Sequence, residues 1–376
     1  MKVRLGDICE ILNGYAFKSS NYVKDGVRII RISNVQKGFI EDSFPVFYPK
    51  DDKYAQNYAL IENDLLISLT GNVGRVALLS CDLLPAALNQ RVACIRIKNR
   101  HIVLTKYLFH LLNSDRFEQS CITSAQGIAQ KNMSTNWLQQ YEIAIVPLEI
   151  QSKIINVLDT LDNLISHRKE QLLKLAQIVK SRFMEMFGEQ YEEITIGSSF
   201  ITTSGGTPAK SNKEYYENGS IPWLTSGEVN SGVITKPSNF ITELGLKHSS
   251  AKLIPANSVV IAMYGATAGQ VGLVKYETST NQAVCSIMPQ DRFISEYLYY
   301  AVQQKKQWMK EQCTGGAQPN ISQTIIKKMR IRNAPLPLQQ QFAAFVEKVD
   351  KSKLAVKQSL EKLETLKKSL MQQYFG

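Results

Sequence analysis

A chain of 376 residues, 44% apolar and 20% charged, has room for two or three domains with cores of their own and the balance of an ordinary globular protein. No run of about 18 apolar residues occurs, which excludes a spanning helix, and the opening MKVRLGDICEILNG carries Asp7 and Glu10 without an apolar stretch, so a secretory leader is not expected. Of the net charge of +11, residues 1–147 hold 17 basic against 13 acidic side chains and residues 189–335 hold 14 against 11, a mild excess that suits contact with phosphate.

Residues 27–35 (VRIIRISNV) have the β-branched content of a strand, and 60–69 (LIENDLLISL) read as a turn followed by another. A glycine-bearing loop, Thr70-Gly71-Asn72-Val73-Gly74-Arg75, leads into a strand at 76–79. Asn89-Gln90-Arg91 precede a strand at 92–97. Residues 104–117 predict one helix, 127–134 (GIAQKNMS) a polar loop, and 141–146 a last strand running into Pro147.

Residues 148–188 predict a long helix. Ile154, Leu158, Leu161, Ile165, Leu172, Leu175, Val179 and Met186 follow a 4-3-4-3 spacing, with Arg168 and Arg182 in the remaining positions. Such an a/d pattern marks a coiled-coil seam, and ~38 residues at ~1.5 Å each make a rod of ~57 Å. Ile155, Leu164, Leu173, Ile178 and Phe183 lie off that seam and either pack on the chain's own domains or form a docking surface.

The remainder repeats this plan. Ile221 to Leu224 and Gly232 to Ile234 occupy the early strand positions, and 253–263 match 60–69. Tyr264-Gly265-Ala266-Thr267-Ala268-Gly269 stand for the first glycine loop, Asn281-Gln282 for Asn89-Gln90, and GGAQPNIS at 315–322 for GIAQKNMS. A second helix over 336–376 carries Phe342, Val346, Val349, Val356, Leu360, Leu363, Leu370 and Tyr374 on its seam. Lys353 and Lys367 break it, and Leu354 and Leu366 lie off it. A shift of 188 residues, half the chain, superposes the two helices without a gap, Pro147-Leu148 on Pro335-Leu336 and Phe187-Gly188 on Phe375-Gly376. The expected fold is α+β: two tandem globular α/β units related by a pseudo-two-fold, residues 1–147 and 189–335, separated by two long helices, 148–188 and 336–376.

No phosphate loop, GxGxxG after a strand, HExxH or nuclease-type carboxylate cluster is present. Six scattered cysteines without a CxxC and four histidines without ligand spacing argue against disulfides and a metal centre, and for a reducing cytoplasm. The aligned loops are instead rich in Asn, Gln, Ser, Thr and Gly, groups that hydrogen-bond to base edges and phosphates but rarely serve as nucleophiles. The repeated Asn-Gln pair fits either such a surface or a buried amide network holding strand ends.

The paired GxxQxNxS-type loops, each followed by PLEIQ (147–151) or PLPLQ (335–339) and a heptad helix ending in Phe-Gly, resemble the specificity (S) subunit of type I restriction-modification systems along the whole chain. The resemblance implies two target recognition domains that read the halves of a split DNA sequence, and helices paired as an antiparallel coiled coil. It implies partners: double-stranded DNA, two methyltransferase (M) subunits and, where present, restriction (R) subunits. It implies no cofactor in this chain, with S-adenosylmethionine in the M subunits, and ATP and Mg2+ in the R subunits. By position, the resemblance places DNA contact on Lys18, Thr70, Gly71, Asn72, Arg75, Asn89, Gln90, Arg91, Gln130, Lys131, Asn132 and Ser134. In the second half it falls on Lys210, Tyr264, Gly265, Asn281, Gln282, Gln318, Asn320 and Ser322. An enzyme with an unrecognised site and a coiled-coil scaffold binding RNA or protein are the competing readings.

Overall fold

The apolar runs of both halves fold as strands buried on both faces. The computed structural model describes residues 1–125, 132–315 and 319–376, with the side chains of all but Asn230 and Ser231. The chain forms two compact units, one of Met1–Lys169 with Gln358–Gly376, the other Glu170–Lys357.

In the first unit a four-stranded antiparallel sheet takes the order Cys9–Asn13, Val92–Ile97, Leu65–Ser68, Val76–Leu78. Side chains alternate across it, as the period of a strand requires. Leu65, Ile67, Ala93 and Ile95 face the helices Thr105–Leu112, Asp115–Ser124 and Thr135–Gln140. Leu66, Val92 and Cys94 face Ile30, Ala86 and Leu88 of a three-stranded sheet, Phe47–Tyr48, Val27–Ile30, Ala86–Leu88. A short pair, Lys2–Arg4 with Glu142–Ala144, closes the unit beside the long helix.

The second unit repeats the layout. Its main sheet runs Thr202–Ser204, Val284–Ile287, Val259–Ala262, Val271–Val274, with Val233–Ile234 added at the edge. The smaller sheet runs Phe240–Ile241, Ile221–Leu224, Thr278–Thr280, Leu253–Ile254. Each smaller sheet holds one parallel pair, Val27–Ile30 with Ala86–Leu88 in the first unit and Ile221–Leu224 with Thr278–Thr280 in the second.

Four elements depart from the sequence reading. The strand expected over 27–35 ends at Ile30, because the buried Asn34 side chain accepts from Arg31 N–H at 2.9 Å and donates to Glu41 O at 2.7 Å, replacing a ladder with a turn. The helix expected over 104–117 is two, since Ser114 Oγ accepts from Phe117 N–H at 3.3 Å and starts a new one. The short helices Thr135–Gln140 and Gln323–Lys327 were not anticipated by the patterning.

The long helices run Leu148–Met186 and Leu336–Phe375. Within the first unit, Asp162 pairs with Lys367, while six and seven residues further on Arg168 Nε donates to Ser359 Oγ at 3.2 Å and Lys169 meets Glu364 at 3.1 Å, both partners lying before Lys367: the pairing is antiparallel. Within the second unit, Phe183 and Phe187 pack edge-on to Phe342, with centroids 5.3 and 5.5 Å away. Of the seam, Ile154, Leu158, Leu161, Ile165, Val179, Phe342, Val346, Val349 and Val356 are buried, while Leu172, Leu175, Leu360, Leu363 and Leu370 are half-buried. Off the seam, Ile155 and Phe183 join the globular cores; Leu164, Leu173, Ile178, Leu354 and Leu366 stay exposed.

The glutamine of each PLxxQ segment is wholly buried. Gln151 Oε1 accepts from Leu104 N–H at 2.9 Å while its Nε2 donates to Ile102 O (2.9 Å) and Val146 O (2.8 Å). Gln339 does the same with Ile294 N–H (2.9 Å), Arg292 O (3.3 Å) and Ala334 O (2.8 Å). Each thereby clamps the start of a long helix to the N-terminus of the helix Thr105–Leu112 or Ser295–Gln304.

Candidate nucleic-acid interface

In the first unit the loop residues converge at one end of the main sheet. Strand Leu65–Ser68 ends on a buried serine whose Oγ accepts from Arg75 N–H at 3.0 Å and donates to Asn72 O at 2.5 Å, folding the glycine loop back on itself. Gly71 (φ 72°) and Gly74 (φ 85°) supply the left-handed turns this needs. A side chain at Gly74 would strike Cys121, whereas Gly71 faces open space.

Leu69 N–H donates to Arg91 O at 3.0 Å, tying this loop to the Asn89-Gln90-Arg91 turn. Met133 N–H donates to Leu69 O at 2.8 Å, and Thr70 Oγ1 to Asn132 Oδ1 at 3.3 Å, which draws Asn132 alongside. Gln90 N–H donates to Tyr15 O at 3.0 Å, bringing in the segment that leads to Lys18. Lys18 is pinned by its backbone, its N–H donating to Tyr48 Oη at 2.8 Å and its carbonyl accepting from that hydroxyl at 3.0 Å, while the residue stays exposed.

The second unit builds the same rim from different side chains. Met263 N–H donates to Ala283 O at 2.8 Å, Ile321 N–H to Met263 O at 2.9 Å and Gly265 N–H to Pro319 O at 3.0 Å. These bonds join the Tyr264-Gly265 loop, the Asn281-Gln282 turn and Asn320. Gly265 (φ 72°) faces open space like Gly71, and Tyr264 is 47% exposed. Asn281 N–H donates to Leu224 O at 3.0 Å as Asn89 N–H does to Ile30 O at 3.1 Å. Asn320 Oδ1 accepts from Thr314 Oγ1 at 2.9 Å, and Lys210 is exposed.

Gln90 and Gln282 are exposed and Asn89 and Asn281 half-buried, so the pairs are surface turns and not a buried amide network. Asn281 Oδ1 accepts from Ala283 N–H at 3.1 Å, and Gln282 Oε1 accepts from Thr207 Oγ1. Arg75 is half-buried, with its Nη1 drawn to Gln36 Oε1. Ser134 and Ser322 cap the helices that follow them, their Oγ atoms accepting from Trp137 N–H (3.2 Å) and Ile325 N–H (3.3 Å); helix capping accounts for both hydroxyls without a ligand. Gln130, Lys131 and Gln318 lie outside the described residues.

Sequence reasoning passed over aromatic side chains near the first rim. Tyr54, 48% exposed, stacks on Tyr15 with centroids 4.3 Å apart and planes 8° from parallel; Phe39 and Phe44 are also exposed. The available signal was two aromatics set in the polar stretch KGFIEDSF.

Lys18, Arg91 and Lys210 have no carboxylate partner among the described residues, so their charge is presented outward. Elsewhere charge is spent internally: Arg96 grips the buried Asp64 with two bonds of 2.8 and 2.6 Å. Burial pushes the Cys9, Cys121 and Cys285 thiols up to about 12, far from nucleophilic use. Among the described residues no cluster of His, Cys, Asp and Glu could hold a metal, and no helix is long and apolar enough to cross a membrane. The rims can therefore donate, accept and neutralise, the chemistry of recognition.

The sequence-family model described as type I restriction modification DNA specificity domain matches residues 1–175 and 188–366. The specificity subunit of the Escherichia coli type I restriction enzyme EcoR124I/EcoR124II is 25% identical over 265 residues, 66% of this chain and 63% of that one. That of E. coli EcoBI is 25% identical over 334 residues, covering 78% and 66%. The chain thus spans a little under two thirds of the length of these curated relatives. Among solved structures, a chain from a study of assembly and conformational transition of a type I R-M system has TM-score 0.63 at 18% identity, covering 100% of this chain and 97% of that one. The type I restriction-modification S subunit from M. genitalium has TM-score 0.57 at 16% identity, covering 99% and 94%. Both likenesses are of fold, and the match of the specificity-domain model to each half decides the assignment: this chain belongs to the type I restriction-modification DNA specificity family.

Proposed function

We propose that this chain is the DNA-reading subunit of a type I restriction-modification complex and works without chemistry of its own. Each unit reads one half of a bipartite duplex target through its rim, and the long helices set the spacing of the half-sites. The observation that carries the reading is the double convergence: separate loops in each unit meet at the same sheet end, with Gly71 and Gly265 leaving that end open. The amides of Gln90 and Gln282 suit base edges, and Lys18, Arg91 and Lys210 suit phosphates. Leu164, Leu173, Ile178, Leu354 and Leu366, between 39% and 67% exposed, are apolar surface available to two M subunits, and R subunits would join through them. S-adenosylmethionine would then belong to the M subunits, ATP and Mg2+ to the R subunits, and the complex to the cytoplasm. Protection of a randomised duplex pool tests the reading. The expected result is selection of one split sequence with affinity falling steeply in salt; protection without base preference would contradict it.

A further inference from the structure

The two units carry grooves at corresponding places, beside the end of the helix Thr105–Leu112 or Ser295–Gln304 and the adjoining stretches of the long helices. Their charge differs. The first-unit groove, about 850 Å³, satisfies most of its cations internally: Lys37 sits on Asp115 (3.2 Å) and Glu118 (2.6 Å), Lys169 on Glu364 (3.1 Å), Lys367 on Asp162, and Arg116 on the Gly376 carbonyl (3.0 Å). The second-unit groove, about 680 Å³, is lined by Lys180, Lys306, Lys310 and Lys353 and by no carboxylate among the described residues. Lys353 reaches Asp350 at 3.0 Å, but among the described residues Lys180 and Lys310 are exposed without an acidic partner and Lys306 Nζ donates only to Gln270 Oε1, at 2.9 Å.

The groove adjoins the reading rim. Gln270 closes the loop that begins with Tyr264 and Gly265, its N–H donating to Thr267 O at 2.9 Å, and Gly269 (φ 79°) lies against Met309, between Lys306 and Lys310. One face of a single short loop thus belongs to the rim, the other to an unneutralised basic groove. Burial, and after it the like charge of Lys310, holds the Lys306 ammonium below its ordinary value, a penalty that a bound anion relieves.

We propose that Lys306, Lys310 and Lys180 form a phosphate-backbone site that grips the duplex beside the second half-site without reading it, and that the first unit has no counterpart. The proposal rests on the DNA-reading function above. A site of this kind adds affinity and salt dependence but no sequence information. The test compares the full-length chain with its Lys306→Gln/Lys310→Gln variant on a duplex carrying the selected target and on one of scrambled sequence, across a salt series. The expected result is weaker binding to both duplexes by the same factor, with the salt slope smaller by about 1 per lysine removed and recovery in Lys306→Arg/Lys310→Arg. A folding defect would instead lower the fraction of active protein and leave the slope of the remainder unchanged, which counts against the proposal. Unchanged affinity and slope, with the wild type still selecting its target, would overturn the proposal and leave the reading function standing. A wild type that binds neither duplex would overturn both.

Discussion

Gln151 and Gln339 show how much one buried amide can organise. Each satisfies one backbone N–H and two carbonyls where water does not reach. Gln151→Ala strands three such groups, and at about 1–3 kcal/mol for each buried group left unpaired, offset in part by relaxation, the expected loss is ~3 kcal/mol. Denaturant titration checks it, with Gln339→Ala behaving alike; a loss within ~0.5 kcal/mol, the range of a surface substitution, would contradict the clamp. The motif was legible in sequence but its meaning was not, because a glutamine in the first turn of a helix ordinarily faces solvent. His110 is a second such case. It is buried with a ring nitrogen 2.9 Å from Asp159 Oδ1, and desolvation lowers its pKa from the usual 6.5 in spite of that carboxylate. The unfolded chain therefore takes up the proton first as pH falls below 6.5, and stability, full above that value, declines between 6.5 and the lower folded pKa. Urea midpoints taken from pH 7.5 downward should show a decline that His110→Gln reduces; equal slopes for both proteins would contradict it.

At the scale of elements, the long helices were the most legible part of the chain, since heptads sustained over their whole length, with few polar breaks, fix both period and face. The buried strands were nearly as clear, as unbroken apolar runs at 65–67 and 259–262. What escaped was decided by single polar side chains. Asn34 ends a strand that propensity would continue, and Ser114 divides a helix whose apolar spacing runs on. The rim residues were legible as types repeated in aligned loops. Their division into exposed groups such as Gln90, helix caps such as Ser134 and internally bonded ones such as Arg75 depends on neighbours distant in sequence. The helices also carry a prediction. If their length sets the half-site spacing, four residues inserted into one of them, ~6 Å of rise, will change the tolerated gap and leave the half-site sequences alone. Binding to a library of spacers checks this; altered half-sites at an unchanged gap would contradict it.

At the scale of the molecule, the repeat would let one architecture serve the two readings proposed above. The two units share the order of their corresponding strands, a parallel pair in the smaller sheet and the glutamine clamp, all set by cores that tolerate little change. The rims keep their backbone bonds and change their side chains: Thr70 becomes Tyr264 and Arg91 becomes Ala283. On the proposed function, two rims that differ this way call for an asymmetric split target. Methylome sequencing of the host with this gene present and deleted tests that claim most directly. The account predicts a single bipartite motif, with unlike halves and a fixed gap, methylated only when the gene is present. A methylome indifferent to the deletion, or a gene-dependent motif that is continuous or built of identical halves, would contradict it.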